Sequence, residues 1–230
     1  MQEFGARAVA EAARAAGARL THISAIGADA QSSSIYASTK GRAEAAIQSI
    51  IPDATILRPS IVFGPEDSFF NKFAAMARIS PFLPLVGGGK TKFQPVYVED
   101  VAEAVALSVD GKIASGKIYE LGGRDVLTFK QCLQTMLEVI GRKRALVPMP
   151  FGIASMIGSI ASAIPLITPP LTSDQVTLLK RDNVVSDSAK AEGRTLEGMG
   201  SQPVKVASIL PTYLVHFRPH GQFTGSGKAA

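Results

Sequence analysis

The sequence predicts an α/β fold in which a parallel sheet is flanked by helices and followed by a small, mostly helical subdomain. Two observations predict it. Helix-like and strand-like segments alternate up to about Asp125, with Gly17, Pro52, Pro59 and Gly122-Gly123 punctuating the changes. Beyond Asp125 the alternation stops and helix and loop remain.

Glu3 to Ala16 is alanine-rich and reads as a helix, with Gly17 where a left-handed C-terminal residue belongs. Arg19 to Ser24 is a short strand, and Gly27 to Ser34 a turn of small polar residues. Ile35 to about Ile50 is helical again, and Ala54 to Arg58 is a strand ended by Pro59. Ser68 to Arg78 reads as helix, and Pro81, Pro84 and Gly87-Gly88-Gly89 mark a long loop. Phe93 to Val98 is extended. Glu99 to Val109 is a helix with Glu99 and Asp100 suited to its positive end, and Lys117 to Leu121 is a strand. Thr128 caps a helix through Ile140, and Leu146 and Val147 are briefly extended. Gly221 to Ala230 reads as a disordered tail.

The chain has 230 residues, 46% of them hydrophobic and 19% charged, the balance of a globular protein with ample core. Its net charge of +5 is diffuse, and the densest basic run, Arg142-Lys143-Arg144, is too short for a nucleic-acid footprint. Cys132 is the single cysteine, so no internal disulfide forms and a reducing compartment is expected. His22, His216 and His220 lack metal-ligand spacing. Met1-Gln2-Glu3-Phe4 does not read as a secretory signal, so a cytoplasmic location is expected.

Val147 to Thr172 contains no charge. A helix from Phe151 to Ile164 would rise about 21 Å before Pro165, too little to cross a hydrocarbon core of ~30 Å. Its stripe of Ile153, Met156, Ile157, Ile160 and Ile164 is expected to be buried against the chain's own subdomain. Contact with a partner or a membrane surface is the alternative.

Tyr36 and Lys40 stand four residues apart, on one face of a helix. An ammonium beside a phenol favours phenolate and is expected to lower its pKa, making the pair a general acid/base unit suited to hydride chemistry at a carbonyl. Ser24, at the end of the preceding strand, is placed to donate to the same oxygen. The same spacing also suits a half-buried tyrosine beside a solvated lysine.

Four blocks of the chain together resemble the extended short-chain dehydrogenase/reductase superfamily. They are Thr21-His22-Ile23-Ser24-Ala25 before Tyr36 and Lys40, Leu57 to Pro65, Gln94 to Ala104, and Tyr119-Glu120-Leu121-Gly122-Gly123. Ser24-Ala25-Ile26-Gly27-Ala28-Asp29 and Gly64-Pro65-Glu66-Asp67-Ser68-Phe69-Phe70-Asn71 are most similar to an atypical branch. That branch contains the nucleotide-binding accessory subunit of respiratory complex I and its bacterial relatives. The resemblance implies a Rossmann-like, doubly wound parallel sheet of which this chain carries the C-terminal half. Residues 1–125 would then be a partial NAD(P)-binding domain with a substrate-loop insertion around 65–95, and 126–220 the helical subdomain. Tyr36 would be the acid/base, Lys40 would hold the nicotinamide ribose, and Ser24 would match the catalytic hydroxyl. Pro59, Ser60 and Ile61 would lie along the nicotinamide amide, although Arg58-Pro59 also reads simply as a strand terminator.

The family's Gly-x-x-Gly-x-x-Gly phosphate turn has no counterpart before Tyr36. Gly87-Gly88-Gly89-Lys90 does not replace it, since no strand-to-helix pattern surrounds it. The strand near Leu20 would then have an open edge, as expected of a piece of a longer protein or of a chain that a partner completes. Two functional readings stand. One is an NAD(P)H-binding subunit of the complex I accessory type, with the nucleotide mainly structural, docked peripherally at the inner membrane near the quinone site. The other is an NAD(P)-dependent reductase or epimerase acting on a small carbonyl or quinone-like substrate. A truncated chain with neither activity is the third possibility.

Overall fold

Side-chain caps at Ser34, Thr128, Thr172 and Ser186 start four of the helices, and pairing of distant segments adds strands that local pattern does not announce. The computed structural model describes residues 2–162 and 172–219. In chain order the elements are α1 (Gln2–Ala15), β1 (Thr21–Ile23), α2 (Ile35–Ile50), β2 (Thr55–Pro59), β3 (Val62–Phe63), α3 (Phe70–Ile79), β4 (Phe82–Val86), β5 (Lys92–Phe93), β6 (Val96–Tyr97) and α4 (Val98–Val109). There follow β7 (Ile118–Leu121), β8 (Leu127–Thr128), α5 (Phe129–Val139), β9 (Ala145–Met149), α6 (Phe151–Ser162), α7 (Ser173–Leu178), α8 (Asp187–Ala191) and α9 (Val206–Tyr213).

The main sheet has the order β1-β2-β7, all parallel, with Ile23 opposite Leu57 and Leu57 opposite Tyr119. The central strand β2 is buried on both sides, which is why Thr55-Ile56-Leu57 reads as a continuous rather than an alternating run. Pleating sorts the side chains onto two faces. Thr21 and Leu57 turn to α4, through the Thr21–Ser108 hydroxyl contact at 2.8 Å and the cluster of Leu57, Val101, Ala104 and Leu121. The opposite face, which carries Arg58, turns to α2. Helix α1 packs on α2 through Ala10, Ile47 and Ile51. Among the described residues no strand pairs with the second edge of β1.

The segment from Pro81 to Gly89 is not the loop expected from its prolines. β4 pairs in parallel with β9, Phe82 opposite Ala145 and Val86 opposite Met149. A two-stranded sheet gives each strand one unpaired edge, so Pro84 costs no ladder bond there. The extended stretch expected at Phe93–Val98 divides into β5 and β6, and α4 begins at Val98. Phe69, Phe70, Phe73, Phe93 and Phe129 meet at centroid distances of 5.0–6.3 Å, largely edge-to-face. They belong to an apolar cluster that unites residues of 63–93 with residues of 129–217.

The stripe on α6 is a further correction. Ala154 is buried, whereas Ile153, Met156 and Ile157 are 48%, 58% and 43% exposed. The small side packs inward and the apolar side faces out. The side chain of Ile160 lies outside the described ones, and Ile164 and the tail from Gly221 lie outside the described residues.

Helix α3 begins after Asp67, whose Oδ1 accepts from the amides of Phe69 (2.9 Å) and Asn71 (3.2 Å). The buried Tyr213 hydroxyl donates to Oδ2 at 2.5 Å, tying this loop to α9. Burial first, then this bond to a carboxylate, raise the Tyr213 pKa well above its ordinary value. Tyrosine in the unfolded chain ionises near pH ~10 while native Tyr213 stays protonated, so its contribution is intact below that pH and is lost as pH rises beyond it. Tyr213→Phe leaves Asp67 a donor short and should cost about 1–2 kcal/mol at pH 7. Urea unfolding should also show a shallower alkaline loss of stability in the variant, not an absent one, because Tyr36 and Tyr97 are shifted in the same direction.

Candidate functional site

Helix α2 carries the site, and its first turn is fully capped. Ser34 Oγ accepts from the Ala37 amide at 3.3 Å, and the Asp174 carboxylate accepts from the amides of Ile35 (2.8 Å) and Tyr36 (3.1 Å). Tyr36 and Lys40 project from this end together. Lys40 Nζ lies 6.0 Å from the centroid of the Tyr36 ring and donates to the Ile23 carbonyl at 3.1 Å. Tyr36 is 41% exposed.

The electrostatics differ from expectation. Burial pushes the Tyr36 phenol above its ordinary value, and burial also lowers the Lys40 ammonium, with Glu44 opposing that shift. Burial, not the lysine, sets the direction of the phenol's shift here. The cation sits over the ring at a distance, and its hydrogen bond goes to the end of β1.

Ser24 continues the ladder, its amide donating to the Leu57 carbonyl at 2.7 Å. Its hydroxyl is buried and has no hydrogen-bond partner among the described residues, and neither does His22 Nε2. Strand alternation places Ser24 and His22 on the face that α2 covers. Burial and the nearby Lys40 lower the His22 pKa.

Pro59, Ser60 and Ile61 are largely committed within the chain. The Pro59 carbonyl accepts from the Ile26 amide and the Ile61 carbonyl from the Val96 amide, both at 2.9 Å. The Ser60 amide donates to the Leu121 carbonyl at 2.9 Å, and its hydroxyl donates to Asn183, at 2.6 Å to Oδ1 and 2.9 Å to the carbonyl. Ser60 therefore holds the C-terminal segment and does not offer its hydroxyl to a ligand. A cleft of about 450 Å³ runs along Val62 to Ser68 and Val98, and neither Tyr36, Lys40 nor Ser24 lines it. These three stand instead beside the unpaired edge of β1. No cluster of metal-ligating side chains occurs among the described residues.

Four contributors were not found from the sequence. Glu44 lies one further turn along the Tyr36–Lys40 face and binds Arg58 in a bidentate pair, at 2.9 and 2.5 Å. That i, i+4, i+8 spacing was a legible signal. Asp174 and Asn183 act from the far end of the chain, and no local pattern announces their partners. Gly41 has a steric role, because a Cβ there would meet the Ala30 amide at 2.2 Å where the 29–30 turn crosses α2.

Residues 4–122 match the NAD dependent epimerase/dehydratase family. The chain belongs to that family. It is 36% identical over 217 residues to NADH dehydrogenase (ubiquinone) 1 alpha subcomplex subunit 9, mitochondrial, of Arabidopsis thaliana, covering 90% of this chain and 53% of that protein. It is 34% identical over 152 residues to a ceramide reductase of Caulobacter vibrioides, covering 65% of this chain and 47% of that one. A dTDP-glucose 4,6-dehydratase of Bacillus anthracis, solved in complex with NAD, superposes with a TM-score of 0.64 at 15% identity, covering 91% of this chain and 65% of the other. That likeness shows a Rossmann-like fold. The chain spans about half the length of the curated relatives it matches.

The Glu44–Arg58 pair joins α2 to β2 with the carboxylate side chain only 4% exposed and the guanidinium 21%. Arg58→Met should cost about 3–5 kcal/mol, because it strands a buried charge. The double variant with Glu44→Leu should recover much of this in urea unfolding.

Proposed function

We propose that this chain carries the nicotinamide-proximal half of an NAD(P)H site in which the nucleotide is mainly a structural ligand. In this reading the protein is of the complex I accessory-subunit type and stabilises a respiratory-chain or quinone-related assembly. The observation that carries this reading is the state of Tyr36: a phenol with a raised pKa, beside an ammonium engaged by a backbone carbonyl. Such a group binds through its hydroxyl but is a poor proton shuttle near neutral pH. The residues present fit a nicotinamide ribose. Tyr36 and Lys40 would hold it, and the buried Ser24 hydroxyl, lacking a partner, would supply a further hydrogen bond. Where turnover occurs, bound NAD(P)H would supply a hydride. Residues 1–35 contain no glycine-rich turn, so no residue of this chain is assigned to the pyrophosphate.

The second reading, a reductase, is favoured by the intact Tyr36, Lys40 and Ser24 set and by similarity to a reductase. The two separate in a protein of the relatives' full length, with NADPH fluorescence and oxidation followed together. The structural reading expects NADPH retained without turnover, and Lys40→Ala weakening binding by about tenfold or more. Quinone- or ketone-dependent oxidation abolished by Tyr36→Phe would overturn it.

Peripheral contact with an anionic membrane is supported by charge and exposure together. Every charged residue from 70 to 92 is basic, and 129–159 adds Lys130 and Arg142-Lys143-Arg144 against Glu138 alone. The outward face of α6 adds Ile153, Met156 and Ile157. No described helix is long and apolar enough to cross a membrane. The chain should sediment with vesicles containing anionic phospholipid and not with pure phosphatidylcholine, and Met156→Asp should weaken this. Equal binding to both vesicle types, or to neither, would reject the contact.

A further inference from the structure

We propose that Asp174 is a positioning residue for the Tyr36–Lys40 face, holding the first turn of α2 from an element anchored in the C-terminal core. This rests on reading that face as a nucleotide contact. An α-helix leaves its first amides without intrahelical partners, and here the C-terminal segment supplies two of the acceptors. Asp174 Oδ1 accepts from Ile35 N and Oδ2 from Tyr36 N, while Ser34 Oγ donates to Oδ2 at 3.1 Å. Ser34 in turn accepts from Ala37 N, and Ser38 N returns to the Ser34 carbonyl at 2.9 Å. The backbone amide of Tyr36 itself is thus bound to a side chain almost 140 positions away, as its separation of 138 records.

Asp174 is spared for this task because α7 caps itself. Thr172 and Gln175 form a reciprocal capping box, and the carboxylate between them is left to reach outward. On its other side α7 is fixed by Val176, which is fully buried, and by Leu179, whose carbonyl accepts from the Thr91 hydroxyl. The acceptor is therefore rigidly mounted. Charged acceptors on helix amides are stronger than neutral ones, so the carboxylate sets where the tyrosine-bearing turn sits. Occupancy of the nucleotide face and docking of α7 then become two readouts of one contact.

Amide hydrogen exchange and NADPH affinity, both in the full-length protein, test this. Asp174→Asn should speed exchange at Ile35 and Tyr36 and weaken NADPH binding, each by about tenfold, while the β7 amides keep their protection as an internal control for folding. Asp174→Glu should restore both, and in a Tyr36→Phe background the effect of Asp174→Asn on affinity should shrink. Unchanged exchange at Ile35 and Tyr36 overturns the proposal. Faster exchange with unchanged affinity reduces Asp174 to a helix cap and overturns it equally. If the unmutated protein binds no NADPH, the nucleotide reading itself has failed, and the exchange result alone decides whether Asp174 holds the turn.

Discussion

One buried ion pair organises the part of this molecule that carries Tyr36 and Lys40. Glu44 on α2 and Arg58 on the central strand form two hydrogen bonds across the helix–sheet interface. A carboxylate withdrawn from water is tolerated only where a geometrically matched cation meets it, and the planar guanidinium does so with both oxygens. The hydrogen bonds that Arg58 donates to Glu44 raise the Arg58 pKa, so the cation persists. Because α2 is a rigid rod, fixing Glu44 over β2 also fixes Lys40 one turn earlier and Tyr36 two turns earlier. Those turns lie at the carboxyl end of β1, where a parallel sheet of this kind presents its ligand.

The C-terminal segment completes what the ion pair begins. Asp174 holds the first turn of α2, Asn183 binds Ser60 and donates to the Ile26 carbonyl, and the Ser186 amide donates to Glu120 on β7. A stretch of little regular structure thus crosses the ends of all three strands of the main sheet. Its backbone polar groups are met largely by the sheet's own loops, and Val176, Leu179 and Val185 bury its apolar side. The site is consequently a product of both ends of the chain, although Tyr36, Lys40 and Ser24 all fall within its first 40 residues.

The orphaned Ser24 hydroxyl and the raised Tyr36 pKa point the same way. Burial of polar groups without partners is costly, and such groups persist where a ligand or another segment of chain provides the missing bonds. The face they share lies along the unpaired edge of β1.

The sequence by itself determined what is local: the alternation that makes an α/β fold, the capping residue Thr128, and the common face of Tyr36 and Lys40. These follow from spacing within a few turns, where neighbours in sequence are neighbours in space. Only the tertiary structure decided the pairing of β4 with β9, the outward turn of the α6 stripe, the partner of Glu44, and the recruitment of Asp174 and Asn183. Each joins residues far apart in the chain, and short or proline-interrupted segments such as Phe82–Val86 carry too little periodicity to announce a partner. The direction of the Tyr36 shift belongs with them, because it depends on how much water surrounds the phenol.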